Sequence, residues 1–176
     1  MKFVKLAILA GSFCVTPLWA ADAKAPTESA DQLVFDNWAV NCQTIGTAPN
    51  TKKICEAIES IVVEGQKDPL ARIAIGKIDP SQPWHLTVLL PTNISLPSVV
   101  HATGPSRLSD ITLNWTRCLT GACFAEAPLP DALLKTWRAE TTEGKVTFVD
   151  ARGQTVGFPM SFKGLTLALD TAEKAR

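Results

Sequence analysis

Residues 84–90, WHLTVLL, show the pattern that decides the fold. Every second position carries a large apolar side chain, namely Trp84, Leu86, Val88 and Leu90. His85 and Thr87 lie between them. Because successive side chains of a β-strand point to opposite faces, this alternation predicts a strand with one face toward a core and the other toward water.

The same alternation, or a short apolar run typical of strands, recurs on both sides of this segment. Further strands are predicted at residues 38–42, 73–75, 111–115, 146–149, 155–160 and 162–169. Asp150–Gly153 contains the Asp and Gly of a hairpin turn, and Pro91–Pro97 is predicted to be a loop because of its two prolines. Short strands separated by turns predict an all-β fold, a mainly antiparallel sandwich or barrel.

One segment has a helical pattern instead. Pro130 suits the first position of a helix, and Leu133, Leu134 and Trp137 form a short apolar stripe. One short helix is therefore predicted at Pro130–Arg138.

The N-terminus has the three parts of a secretory signal peptide. Lys2 and Lys5 precede an apolar run from Leu6 to Val15, and small residues follow it. We expect cleavage after Ala20, or as late as Ala23. A retained anchor is disfavoured because too few uninterrupted apolar residues are present to span a bilayer, and charge or proline interrupts every later run.

The remaining chain is predicted to form one domain. Residues 21–32 are small and polar without periodicity, which predicts a flexible lead. A single β-domain is predicted over residues 33–170 and a tail over 171–176.

The four cysteines after the signal peptide are Cys42, Cys55, Cys118 and Cys123. In an exported protein an even set of cysteines predicts disulfides, here two, with three possible connectivities. The local pairing Cys42–Cys55 and Cys118–Cys123 would staple two hairpins, since each pair flanks a turn-like segment. Zinc binding and thiol redox chemistry are disfavoured because neither pair has Cys-x-x-Cys spacing.

Composition excludes several functional classes. Lys and Arg together number 17, as do Asp and Glu, and no basic run exceeds Lys52–Lys53, so nucleic acid is not an expected partner. Only two histidines are present, and no phosphate-binding, zinc-binding or calcium-binding motif occurs. We expect no metal and no cofactor.

No catalytic arrangement is evident either. A Gly-x-Ser-x-Gly turn is absent. His85, on the outer face of a strand, and His101, in a predicted loop, are expected to be ordinary surface imidazoles because no partner residue is evident for either. The acidic residues around the predicted helix, Glu126, Asp131, Glu140 and Glu143, are most simply solvated charges or a cap.

The tryptophans raise a choice between core and binding surface. Trp38, Trp84 and Trp115 lie on the apolar sides of predicted strands and are expected in the core. Trp137 lies beside Arg138 on the predicted helix, where an exposed aromatic side chain and an Arg would form a contact point for a partner.

Several segments, taken in order, resemble the invasion-associated locus B family of exported bacterial proteins. They are Phe35-Asp-Asn-Trp-Ala-Val-Asn-Cys42 with Cys55, the proline-bracketed segment 89–97, the hairpin from Arg117 to Cys123, and the closing Ser161-Phe-Lys-Gly164 with Ala168-Leu169. Gly121-Ala122-Cys123 departs from the Gly-Gly-Cys expected of the family. The resemblance implies an immunoglobulin-like β-sandwich, a periplasmic, cell-surface or secreted location, an association with host-cell invasion and virulence, and no defined catalytic residues.

These observations favour a non-enzymatic exported protein that binds an envelope or host macromolecule or supports the envelope. The alternative is a periplasmic enzyme or small-ligand-binding protein whose site is assembled from residues distant in sequence. A deep pocket that brings His85 or His101 to a carboxylate would favour the alternative.

Overall fold

A computed structural model describes residues 32–66, 68–106 and 109–176. The predicted signal peptide, both predicted cleavage sites and all of the predicted lead except Gln32 lie outside the described residues.

The described chain contains ten strands and two helices. The strands are β1 (Leu33–Phe35), β2 (Trp38–Ile45), β3 (Lys52–Ile61), β4 (Ala71–Gly76), β5 (His85–Leu90), β6 (Val100–Thr103), β7 (Asp110–Leu119), β8 (Ala122–Pro128), β9 (Gly144–Val149) and β10 (Thr155–Met160). The helices are α1 (Asp131–Ala139) and α2 (Leu165–Lys174).

All ten strands form one antiparallel sheet in the order β1-β2-β3-β4-β5-β8-β7-β6-β9-β10. The predicted antiparallel all-β class is confirmed. The immunoglobulin-like sandwich is not confirmed, because β7 pairs with β8 on one side and β6 on the other and so joins both halves by hydrogen bonds. A register shift between Trp115 and Arg117 bends β7 within this junction.

The two ends of this strand order meet in space. The Trp38 indole N–H on β2 donates to the carbonyl of Ser161, directly after β10, at 2.8 Å. The sheet therefore curls, and its inner face encloses the core. Large side chains that are almost completely buried there include Trp38, Ile73, Ile75, Leu86, Val88, Leu90, Leu113 and Met160.

The segment after β10 corrects two predictions. The sequence predicts a strand at residues 162–169, but helix α2 begins at Leu165, so the described residues contain two helices and not one. Leu165, Ala168, Leu169 and Ala172 are its buried residues, and this i, i+3, i+4, i+7 spacing is helical. Because α2 runs to Lys174, residues 171–174 belong to the fold and not to a separate tail.

Both disulfides join directly paired residues of neighbouring strands. Cys42 pairs with Cys55 across β2 and β3, and Cys118 with Cys123 across β7 and β8. These are the local pairs expected from the flanking turns. The Cys118–Cys123 hairpin turns at Gly121, whose φ of 88° is readily adopted by glycine.

The β9–β10 hairpin is confirmed at Asp150–Gly153. The Asp150 carboxylate accepts the backbone N–H groups of Gln154 and Arg152, each at 2.9 Å. These hydrogen bonds, with that from the Gln154 amide contributing most, lower the pKa of Asp150.

Candidate functional site

Four side chains from four adjacent strands form a row on the outer face of the sheet. Arg72 on β4 is paired with Leu89 on β5, Leu89 with Phe124 on β8, and Phe124 with Arg117 on β7. Direct cross-strand partners lie on the same face, so these residues place two aromatic or aliphatic groups between two guanidinium groups. We call this set the arginine row.

The two arginines of the row differ in what they contact. The Arg117 guanidinium lies 4.2 Å from the centre of the Phe124 ring, and its Nη1 lies 2.8 Å from Oε1 of Glu126. Both contacts fix its position. Arg72 is exposed and forms no ion pair with a described residue, so its hydrogen-bond donors are free to bind a partner.

A groove of about 220 Å³ opens beside Arg72. Leu70, Leu89 and Pro91 line it with apolar surface, and Gly121 of the disulfide-stapled β7–β8 turn borders it. Among the described residues that line this groove, Arg72 is the only charged one. The arrangement can accept an apolar group and, next to it, an anionic one.

The predicted partner contact at Trp137 and Arg138 is wrong. Trp137 is fully buried, its indole N–H donates to the Ser109 carbonyl at 3.1 Å, and its ring lies 5.6 Å from that of Phe162. Arg138 is half-buried and binds Asp170 on α2 with Nη1 and Oδ1 2.6 Å apart. Both residues attach α1 to its neighbours within the fold. The prediction failed because the apolar stripe of α1, which includes Trp137, faces the core.

The two histidines lie on different strands, β5 and β6. His85 is half-buried on the outer face of β5, between its register partners Gly76 and Pro128. His101 lies on β6 and not in a loop, and its Nδ1 is 3.2 Å from the Thr112 hydroxyl. Within the described residues, neither imidazole forms an ion pair with a carboxylate.

The remaining tryptophans follow their strand patterns to different degrees. Trp38 and Trp84 are buried, whereas Trp115 is half-buried beside the β7 bulge. Lys77 and Arg176 lie 5.0 Å and 5.1 Å from the centre of the Trp84 ring system. Lys77 follows β4 and Arg176 follows α2, so these cations connect both segments to the residue that precedes β5.

The sequence reading missed a buried carboxyl group. Glu59 on β3 is only 4% exposed, and the backbone N–H of Ser161 donates to both of its carboxyl oxygens at 3.1 Å. Burial raises the pKa of Glu59 to about 7; the Ser161 hydrogen bond opposes this rise, and the negative charge of Glu143 adds to it. Its burial could have been predicted from strand alternation, because Glu59 lies two residues after buried Ala57 and four after buried Cys55, on the same face of β3.

No helix within the described ranges is long and apolar enough to cross a membrane. Nor do the described residues include a group of three or more potential metal ligands.

Comparisons with known proteins identify relatives of the chain. A family model described as "Invasion associated locus B (IalB) protein" matches residues 38–173. The crystal structure of invasion associated protein B from Bartonella henselae is similar to this chain, with a TM-score of 0.68 and 15% sequence identity. The similarity covers 82% of this chain and 95% of that one, and at this identity it shows a shared fold. No curated protein sequence matches the chain.

Proposed function

We propose, because this chain belongs to the Invasion associated locus B family, that it is an exported bacterial protein that binds a macromolecule and catalyses no reaction. The family match and the two disulfides support export, since disulfides persist in oxidising compartments such as the periplasm, the cell surface and the medium. The association with host-cell invasion comes from the family description.

The exposed guanidinium of Arg72 at the groove, which forms no ion pair with a residue that the structure describes, carries the proposal of a binding surface. Arginine and aromatic side chains are enriched in protein interfaces, and the arginine row places both beside a concave apolar site. A carboxylate can accept two parallel hydrogen bonds from a guanidinium. The partner is therefore a polypeptide segment in which an acidic side chain neighbours a leucine or an aromatic residue.

The role of the groove can be tested with defined peptides. Immobilised peptides that contain Asp or Glu next to Leu or Phe should bind the processed protein. Arg72→Ala should weaken this binding about tenfold, or ~1.4 kcal/mol, because the two hydrogen bonds from the guanidinium to the peptide carboxylate are lost. Lys53→Ala is the matched control: it also removes an exposed cation from the same sheet, but at the distant β2–β3 hairpin. Equal binding by wild type and Arg72→Ala would exclude the groove as the acidic-peptide site.

Binding to natural partners needs a separate experiment. Proteins captured from an envelope extract by the processed protein are identified by mass spectrometry, before and after mild reduction of the disulfides. A specific partner should be lost with Arg72→Glu and retained with Lys53→Glu. Capture that is insensitive to Arg72→Glu contradicts the proposed surface.

A further inference from the structure

The connection between β10 and α2 contacts the start of β2, at Trp38, and the last part of β3, at Glu59. We call residues 161–164 the strap. Its Ser161 accepts the Trp38 indole N–H through the carbonyl and donates its backbone N–H to Glu59. The Ser161 hydroxyl also lies 3.1 Å from Oδ1 of Asn37. One residue of the strap thus makes several of the contacts that join the two ends of the sheet.

The Glu59 carboxyl is in an environment that poorly supports a negative charge. The Ser161 N–H is the one described hydrogen-bond donor to its two oxygens. Charged residues on the elements packed around it are Asp36 in the β1–β2 turn, Arg72 on β4, Glu143 before β9, Lys163 in the strap, and Asp170, Glu173 and Lys174 on α2. Among the described residues none forms an ion pair with Glu59.

The surrounding charges do not compensate for burial. Arg72 points to the outer face, Asp170 is paired with Arg138, and Lys163 is exposed. Glu143 adds a like charge. An ionised Glu59 is consequently buried without a cation, which is unfavourable in a low-dielectric interior.

We propose that Glu59 and Ser161 form a proton-controlled clasp, in which the strap stays packed over β2 and β3 while the Glu59 carboxyl is protonated. Ionisation strengthens the Ser161 N–H hydrogen bond itself, but it favours opening of the strap because water can then reach and solvate the buried charge. The strap leads directly into α2 at Gly164, which lies against the Phe35 carbonyl of β1. Loosening would therefore free the N-terminal end of α2 first.

The rest of α2 has contacts that do not involve Glu59. Asp170 binds Arg138, and Glu173 lies 3.8 Å from the Lys77 ammonium group. The change is thus confined to the strap and the first turn of α2, and the core of the sheet remains folded.

The direction of the pH dependence follows from the pKa. Glu59 has a pKa of about 7 in the folded protein, against an ordinary value of 4.5. Between these values the folded state keeps a proton that the unfolded chain has released, so this group favours folding most below pH 4.5. That contribution decreases as the pH rises and is lost by about pH 7.

Hydrogen exchange at individual amides tests the clasp. After correction for the intrinsic pH dependence of exchange, protection of the Ser161 amide should fall at least tenfold from about pH 5.5 to about pH 8, because Glu59 changes from mostly protonated to mostly ionised. Glu59→Gln, a neutral side chain of similar shape, should remove this change. Glu143→Gln is the matched control: it should keep the change and shift its midpoint to lower pH.

A second measurement keeps the test decisive if Glu59→Gln does not fold. The ¹³C carboxyl resonance of Glu59 in the wild-type protein should titrate with the same midpoint as Ser161 exchange. Protection that does not change with pH, or that changes with a midpoint unlike that of Glu59, would overturn the clasp. Neither measurement involves the groove at Arg72, so the clasp can be disproved without any effect on the proposed function.

Discussion

The two stapled hairpins and the closure of the sheet are held together in different ways. Each hairpin has a covalent bond between residues that are close in sequence, with separations of 13 and 5. The closure joins residues more than 100 positions apart, such as Trp38 and Ser161, through hydrogen bonds and apolar packing. The hairpins therefore depend on the redox state of the compartment, whereas the closure depends on burial and on the charge of Glu59.

The strongest test of this difference is removal of the main apolar group at the closure. Trp38→Ala should lower the free energy of unfolding by about 3–5 kcal/mol, because it leaves a cavity and removes the N–H that binds the Ser161 carbonyl. Urea denaturation measures the effect. Leu119→Ala on the stapled β7–β8 hairpin, where the side chain is 58% exposed, is the control and should change stability by less than about 0.5 kcal/mol. Comparable losses in both variants would show that the closure is not the more sensitive region.

Removal of each disulfide ranks the two hairpins. Replacing Cys42 and Cys55 by Ala should cost about 3 kcal/mol, and replacing Cys118 and Cys123 about 2 kcal/mol, because the longer loop loses more chain entropy when it is closed. Both double variants should retain the Glu59-dependent pH effect, since the described hydrogen bonds of Ser161 to β2, β3 and the β1–β2 turn are made with Trp38, Glu59 and Asn37 and not with a cysteine. Chemical denaturation at two pH values checks both points, and the reverse order of stabilities would contradict the loop-length explanation.

Two glycines provide the finest comparison. Gly164 has φ of 84° and Gly121 has φ of 88°. A Cβ at residue 121 would meet nothing within 4 Å, so Gly121→Ala should cost only the backbone strain, about 1 kcal/mol. A Cβ at residue 164 would collide with the Phe35 carbonyl oxygen, so Gly164→Ala should cost at least about 2 kcal/mol. Thermal unfolding of both variants measures the difference; equal effects would show that the strap adapts easily.

Local sequence patterns predicted the hairpins because all of their determinants are neighbours in the chain. Asp150 and Gly153 identified a turn, and alternation identified the strand at residues 84–90, which the structure has as β5 from His85. Alternation failed at residues 162–169, because a short apolar segment fits both periods and the buried Ala172 that completes the helical pattern lies beyond it. It also left β1, β3, β6 and β8 unassigned; β1 and β6, with three and four residues, are too short to show a period, whereas β3 and β8 are long enough and were missed.

The candidate site at Arg72 was not predicted from the sequence. Arg72, Leu89 and Phe124 lie in three segments that are distant in the chain, and only the pairing of β4, β5 and β8 makes them neighbours. Trp137 illustrates the opposite error: the sequence marks a large amphipathic side chain but does not state what covers it. The Ser109 carbonyl that accepts its N–H is 28 residues away.

The sequence alone determined the antiparallel β-class and the position of α1, because side-chain periodicity and turn chemistry act over a few residues. It favoured the local pairing of the cysteines, and the structure decided among the three connectivities. The tertiary structure decided that the strands form one curled sheet, that α2 closes it, that Glu59 is buried, and that Arg72 borders a groove. Those outcomes depend on which distant surfaces bury one another, and the free energy of that burial belongs to the whole chain and not to any single segment.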